Sequence, residues 1–169
     1  GGIVIMRFGE NALAVIARVK AALREAAASL PGRDTKLALI RSLLASGDLA
    51  RAEKEINLLQ SREPTAEGYV QAGGLALARN DFVKAKAEFN KALELSPDSI
   101  EALAGQLSVD LKERNASRAR SRLTQRLSVP KPPVELLLLA GRTYFVLNDW
   151  KETETVLLRA IELEPSSLP

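Results

Sequence analysis

Residues 66–97, AEGYVQAGGLALARNDFVKAKAEFNKALELSP, decide the fold. Two stretches with apolar residues at helical spacing flank a polar turn, Arg79-Asn80-Asp81, and a proline closes the unit. The positions that give the unit its signature are Tyr69, Gly73, Phe82, Ala85, Phe89, Ala92 and Pro97. Leu137, Gly141, Trp150, Leu157, Ala160 and Pro165 stand further along at multiples of 34 residues, with Tyr144 in the same helix. Leu49, Ala52, Ile56 and Pro64 stand 33 residues back. A helix pair repeated at this period leaves an apolar face that only the next pair can cover, so the expected object is a stack of pairs.

These residues resemble the tetratricopeptide (TPR) helix–turn–helix repeat, whose period is about 34 residues. The resemblance covers about residues 33–165 and implies an all-α fold, antiparallel helix hairpins stacked in a right-handed superhelix. The boundaries expected within this single solenoid domain are an N-terminal helix, partial repeat or cap, in 1–32, then repeats at 33–65, 66–99, 100–133 and 134–169. Residues 10–30 carry Leu13, Ile16, Leu23 and Ala27 at helical spacing and end at Pro31-Gly32. The third repeat departs from the pattern. Asp110 and Ala116 stand where large apolar residues are expected, and Arg126 replaces the small residue of Ala92 and Ala160. In this reading Tyr69, Phe82, Phe89, Tyr144, Trp150 and Leu157 are core residues, and Gly73 lets the paired helices approach closely.

Composition agrees with packed helices. Hydrophobic residues make up 46 % but aromatics only 4 %, so alanine and leucine fill the interior. A net charge of +3 is too small to imply a polyanion partner by itself. No apolar run reaches the roughly 18 residues of a membrane span, so any membrane contact is expected to be indirect. With no cysteine there is no disulfide framework, which suits a cytoplasmic or a periplasmic location equally.

Catalysis has little support. Histidine and cysteine are both absent, removing the usual base–nucleophile pairs and thiolate chemistry. Glu152 and Glu154, like Glu162 and Glu164, are two residues apart on a helix and face apart. Neither an enzyme nor a metal or cofactor site is expected.

Two binding surfaces stand out. Arg114, Arg118, Arg122 and Arg126, with Lys112, Arg120 and Lys131, form a basic segment containing one acid, Glu113. It reads as a solvated convex face, as a contact for an acidic protein or lipid, or as a phosphate-binding stripe. No aromatic residue interleaves the arginines, so nucleic acid is disfavoured.

The second surface comes from the resemblance, which implies that the first helix of each repeat lines a concave groove. Carried over, the groove is Leu37, Arg41 and Leu44, then Val70 and Leu77, then Ala104 and Leu111, then Leu138, Arg142 and Phe145. Acids precede these at Asp34, Glu67, Glu101 and Glu135, where the helix dipole alone explains them. The lysine and asparagine with which some TPR domains clamp a C-terminal carboxylate are missing, so chaperone-tail binding is not expected.

An apolar floor with two arginines suits an amphipathic helix or extended peptide of a partner protein. The expected function is a non-catalytic interaction scaffold like those of bacterial TPR proteins. The alternatives are a self-assembling oligomeriser, or the regulatory or substrate-recruiting arm of a larger enzyme.

Overall fold

The computed structural model describes residues 32–62 and 64–163. The N-terminal helix expected over residues 10–30, and Pro165, lie outside these. Among the described residues eight helices succeed one another: α1 (Arg33–Ser46), α2 (Leu49–Arg62), α3 (Ala66–Ala78), α4 (Phe82–Leu95), α5 (Ile100–Lys112), α6 (Ala116–Leu127), α7 (Val134–Val146) and α8 (Trp150–Leu163). They pack as four sequential antiparallel pairs. A compact unit begins at Leu37. Within it each pair leans on the next, and α3, α5 and α7 are also direct neighbours, forming a row of first helices. Among the described residues no helix is long and apolar enough to cross a membrane.

The turn inside each pair is one device used four times. Gly47, Asn80, Arg114 and Asn148 have positive φ, between 57° and 79°. The residue after each donates its amide to the carbonyl five residues back, as in Asp81 to Ala76 at 2.9 Å and Asn115 to Asp110 at 2.8 Å. That same residue then begins the next helix. The Asp81 and Asn115 side chains accept from Lys84 N and Arg118 N, both at 3.0 Å. Ending one helix and starting the next therefore takes two residues in the first pair and three in the others, which forces an antiparallel return.

Between pairs, Thr65 and Ser99 cap α3 and α5 by accepting from Gly68 N and Ala102 N. Asp34 lies inside the first turn of α1, two residues beyond the cap position. Pro133 precedes α7 with an extended backbone and no side-chain cap.

The core repeats with the register. Ala52, Ile56 and Leu59 of α2 meet Leu37, Ile40 and Leu43 of α1 and Ala72 and Leu75 of α3. Phe89 of α4 is buried with Ala76, Ala85 and Val109, and Leu123 of α6 lies with Leu103, Leu107, Leu137 and Tyr144. Phe89 is held most tightly. A Cβ placed on Gly73 would sit 2.6 Å from its ring, and one on Gly105 of the following pair 2.2 Å. The ring therefore fills a slot that exists only because two different helices lack side chains there.

Two residues expected in the core are not there. Trp150 is 57 % exposed and packs edge-on against Phe145, with centroids 5.2 Å apart at 85°. Leu157 holds the register of Phe89 and fits against Gly141, but its other side is open because no further helix among the described residues covers α8. Tyr69 and Phe82 are half-buried, with Lys91 Nζ 5.4 Å from the centre of the Tyr69 ring.

Two glycine-to-alanine changes separate helix propensity from the slot. At Gly74 a Cβ meets only Leu44 Cδ1 at 3.5 Å, so Gly74→Ala should raise stability by up to about 1 kcal/mol. Gly105→Ala gains the same propensity but displaces the Phe89 ring, and should lower stability by about 1–3 kcal/mol. Urea unfolding followed by circular dichroism reads both, and equal shifts of the same sign would contradict the slot.

Candidate functional site

The row of first helices places the expected groove residues unevenly. Val70, Leu77, Ala104 and Leu111 are half-buried, whereas Leu138 and Phe145 are 41 % and 59 % exposed. Arg41 and Arg142 are exposed and make no ion pair among the described residues. Leu37 does not belong to the floor. It lies three residues before Ile40 and six before Leu43, on the stripe that faces α2, and is 6 % exposed. Leu44 packs against the same cluster from its edge.

Two recesses open along this row. The first brings Arg41 and Val70 together with Glu67, Gln71 and Glu101, beside Ser96 and Ser99. The second, of about 560 Å³, brings together Ala104, Leu138 and Arg142 with Ile100 and Leu139, under Asp98, Glu101 and Glu135. Glu101 and Ser99 line both, so the recesses adjoin. Leu77, Leu111 and Phe145 line neither. Gln71 carries no signal in the sequence beyond being a polar residue in an apolar helix.

Most arginines of the basic segment are engaged within the fold. Arg122 donates to the Asp110 carboxylate and to Gln106 Oε1, each at 2.7 Å, and Gln106 in turn donates to Asn90 at 2.5 Å. Arg118 lies 3.3 Å from Asp110 and 3.2 Å from Glu113. Arg126 reaches the Pro97 carbonyl and the neighbourhood of Asp98. Of the four arginines, only Arg114 lacks an ion pair among the described residues, and it occupies the positive-φ turn position.

The side chain of Asp110 is 1 % exposed. A carboxylate buried so deeply needs charged partners, and two arginines of α6 supply them. Three of the four stripe residues are thus committed to holding the third pair together.

A second set of ion pairs links each pair to the next. Glu53 of α2 accepts both guanidinium nitrogens of Arg79 at 2.8 and 3.0 Å. Lys86 of α4 donates to Glu113 at 2.6 Å, and Arg120 of α6 holds Asp149 through two bonds of 2.7 Å. Glu53, Lys86 and Arg120 occupy one register position, 33 and 34 residues apart. The hydrogen bonds from Arg79, Lys86 and Arg120 are the largest cause holding Glu53, Glu113 and Asp149 below the ordinary carboxylate range.

No protein-family model matches the chain, and no curated protein matches it. Among solved structures it is similar to the MamA RS-1 ArsTM double mutant, with a TM-score of 0.51 and 21 % identity. The match covers 77 % of this chain and 76 % of that one. MamA is a TPR protein of magnetotactic bacteria, and this chain has the same kind of fold, all-α with sequential antiparallel pairs.

The lowered carboxylates set the expected pH dependence. Their stabilisation is fully present above the ordinary values of about 4 and is lost as pH falls through the lowered folded values. With no histidine in the chain, no side chain of ordinary pKa titrates between about pH 5 and 8. Thermal melts should therefore be flat across that range and drop in acid, with Glu53→Gln and Asp149→Asn flattening the acid limb. A midpoint that moves strongly between pH 6 and 8 would contradict this.

Proposed function

We propose, from the TPR-type fold and the two recesses along its first helices, that this chain is a non-catalytic scaffold that docks a peptide or helix of a partner protein. The observation that carries the reading is the second recess. There Ala104 and Leu138 supply an apolar floor while Arg142, Glu101 and Glu135 stand around it without ion pairs. Polar groups that the fold leaves unused, set around exposed apolar surface, suit a protein ligand that offers both kinds of contact. The basic stripe is a poorer candidate, since three of its four arginines are already engaged.

A second reading, assembly of the chain with copies of itself, is favoured by a different observation. The last pair leaves Phe145, Trp150, Leu158 and Ile161 each at least 41 % exposed, and exposed apolar surface of this kind marks candidate interfaces.

One experiment addresses both. The wild type and Ala104→Gln with Leu138→Gln are used as baits in lysate of the source organism, and the masses of free and bound species are determined. Glutamine keeps the charge and suits a helix, so helicity should be unchanged while a groove-bound partner is lost. Arg114→Glu should retain that partner. Equal capture by both baits would move the site off the groove, and recovery of this chain alone, with mass rising with concentration, would favour self-assembly.

A further inference from the structure

The first recess is built around a side chain that the fold does not use. Gln71 is 5 % exposed, yet its amide makes no hydrogen bond with any described residue. Nor is the amide sealed in, because Gln71 lines the recess beside Val70. An amide with no partner in the fold that borders an open recess is free to pair with a ligand. Packing does not ask for it either, since the equivalent places in the next two pairs hold Gly105 and Leu139.

Charge supplies the second observation. Glu67 and Glu101 line the same recess, are exposed and make no ion pair among the described residues. Arg41 is their one cationic neighbour there among the described residues. The adjoining recess adds Asp98 and Glu135 against Arg142. Asp98 lies 3.8 Å from Arg126, so across both recesses three carboxylates without ion pairs, Glu67, Glu101 and Glu135, face two such guanidiniums, the reverse of the balance in a chain whose net charge is +3. The helix dipole accounts for glutamates in a first turn, but not for Gln71. At about 150 Å³ the first recess is smaller than the roughly 300–1,000 Å³ of a small-molecule site, and suits one side chain.

We infer that the two recesses together read a partner segment in which a lysine or arginine lies beside an apolar side chain. The cation seats against Glu67 and Glu101, and an amide of the segment pairs with Gln71. The apolar neighbour rests on Ala104 and Leu138. Charge complementarity favours this occupant over an acidic one, which would meet the two arginines only at the cost of three carboxylates without ion pairs. The inference rests on the groove reading above and specifies its ligand.

The test uses fluorescence anisotropy with two labelled amphipathic helical peptides that share one leucine pattern. One carries lysine on its polar face, the other glutamate. The lysine peptide should bind and weaken as salt is raised, and Glu67→Gln with Glu101→Gln should weaken it about tenfold. Gln71→Leu, close in volume, should weaken it several-fold with helicity unchanged. Lysine-peptide binding that ignores both sets of variants would overturn the assignment.

Tighter binding of the glutamate peptide, abolished by Ala104→Gln with Leu138→Gln, would keep the groove and overturn its preference for a cation. Failure of both peptides to bind would overturn the stated ligand, while the groove itself would still be judged by the lysate comparison.

Discussion

The Phe89 ring between Gly73 and Gly105 is the constraint on which the middle of the stack depends. One glycine belongs to the ring's own pair and the other to the next, so a single aromatic side chain fixes two helix–helix distances at once. Interiors pack at crystal-like density and do not deform smoothly. A ring with no room on either face therefore holds α3, α4 and α5 in one relative placement. The row of first helices inherits that placement, and the two recesses along it lie on either side of α5. The residues that shape the candidate site are thus held by a contact that none of them makes.

The third pair shows how a repeat tolerates a broken pattern. Asp110 replaces an apolar residue at the register of Ala76 and Tyr144, and Arg122 stands at the register of Val156. Either change alone would bury an unpaired charge, which is strongly unfavourable. Together they meet at 2.7 Å, and Gln106 and Asn90 extend the contact towards α4. The apparent decay of the repeat in sequence is a local exchange of apolar packing for a hydrogen-bonded ion network. The same exchange removes Arg118 and Arg122 from the pool of free surface cations.

How much of the fold was legible in the sequence depends on how local each signal is. Helix pairs, their turns and the burial of Phe89, Ile56 and Leu123 all derive from a period within one repeat. Gly73 could be read as a site of close approach because it faces its own pair. Gly105 could not, because its neighbour is set by how one pair sits on the next, and its register partners are Gln71 and Leu139. Trp150 and Leu157 show the reverse case, where a correct register says core but no further helix among the described residues completes the cover. Among the candidate groove residues, Arg41 with Val70, and Ala104 with Leu138 and Arg142, share recesses. Leu37 turns inward because its stripe continues into Ile40 and Leu43. The basic stripe was visible as charge, but its partners lie across a turn, where helical spacing carries no information.

The three ion pairs between successive pairs differ in polarity. The first junction sets an acid of α2 against a base of the following turn, while the second and third set a base against an acid. Exposed pairs of this kind add little to stability, but polarity also labels order. Were the first pair to dock on the third, Glu53 would face Glu113. Were the second pair of one molecule to dock on that of another, Lys86 would face Arg79. Wrong-partner assembly is a characteristic failure of repeat proteins during folding, and repulsion at mismatched junctions selects against it. A surface feature of small energetic weight thus sets the first junction apart from the two that follow, which share one polarity.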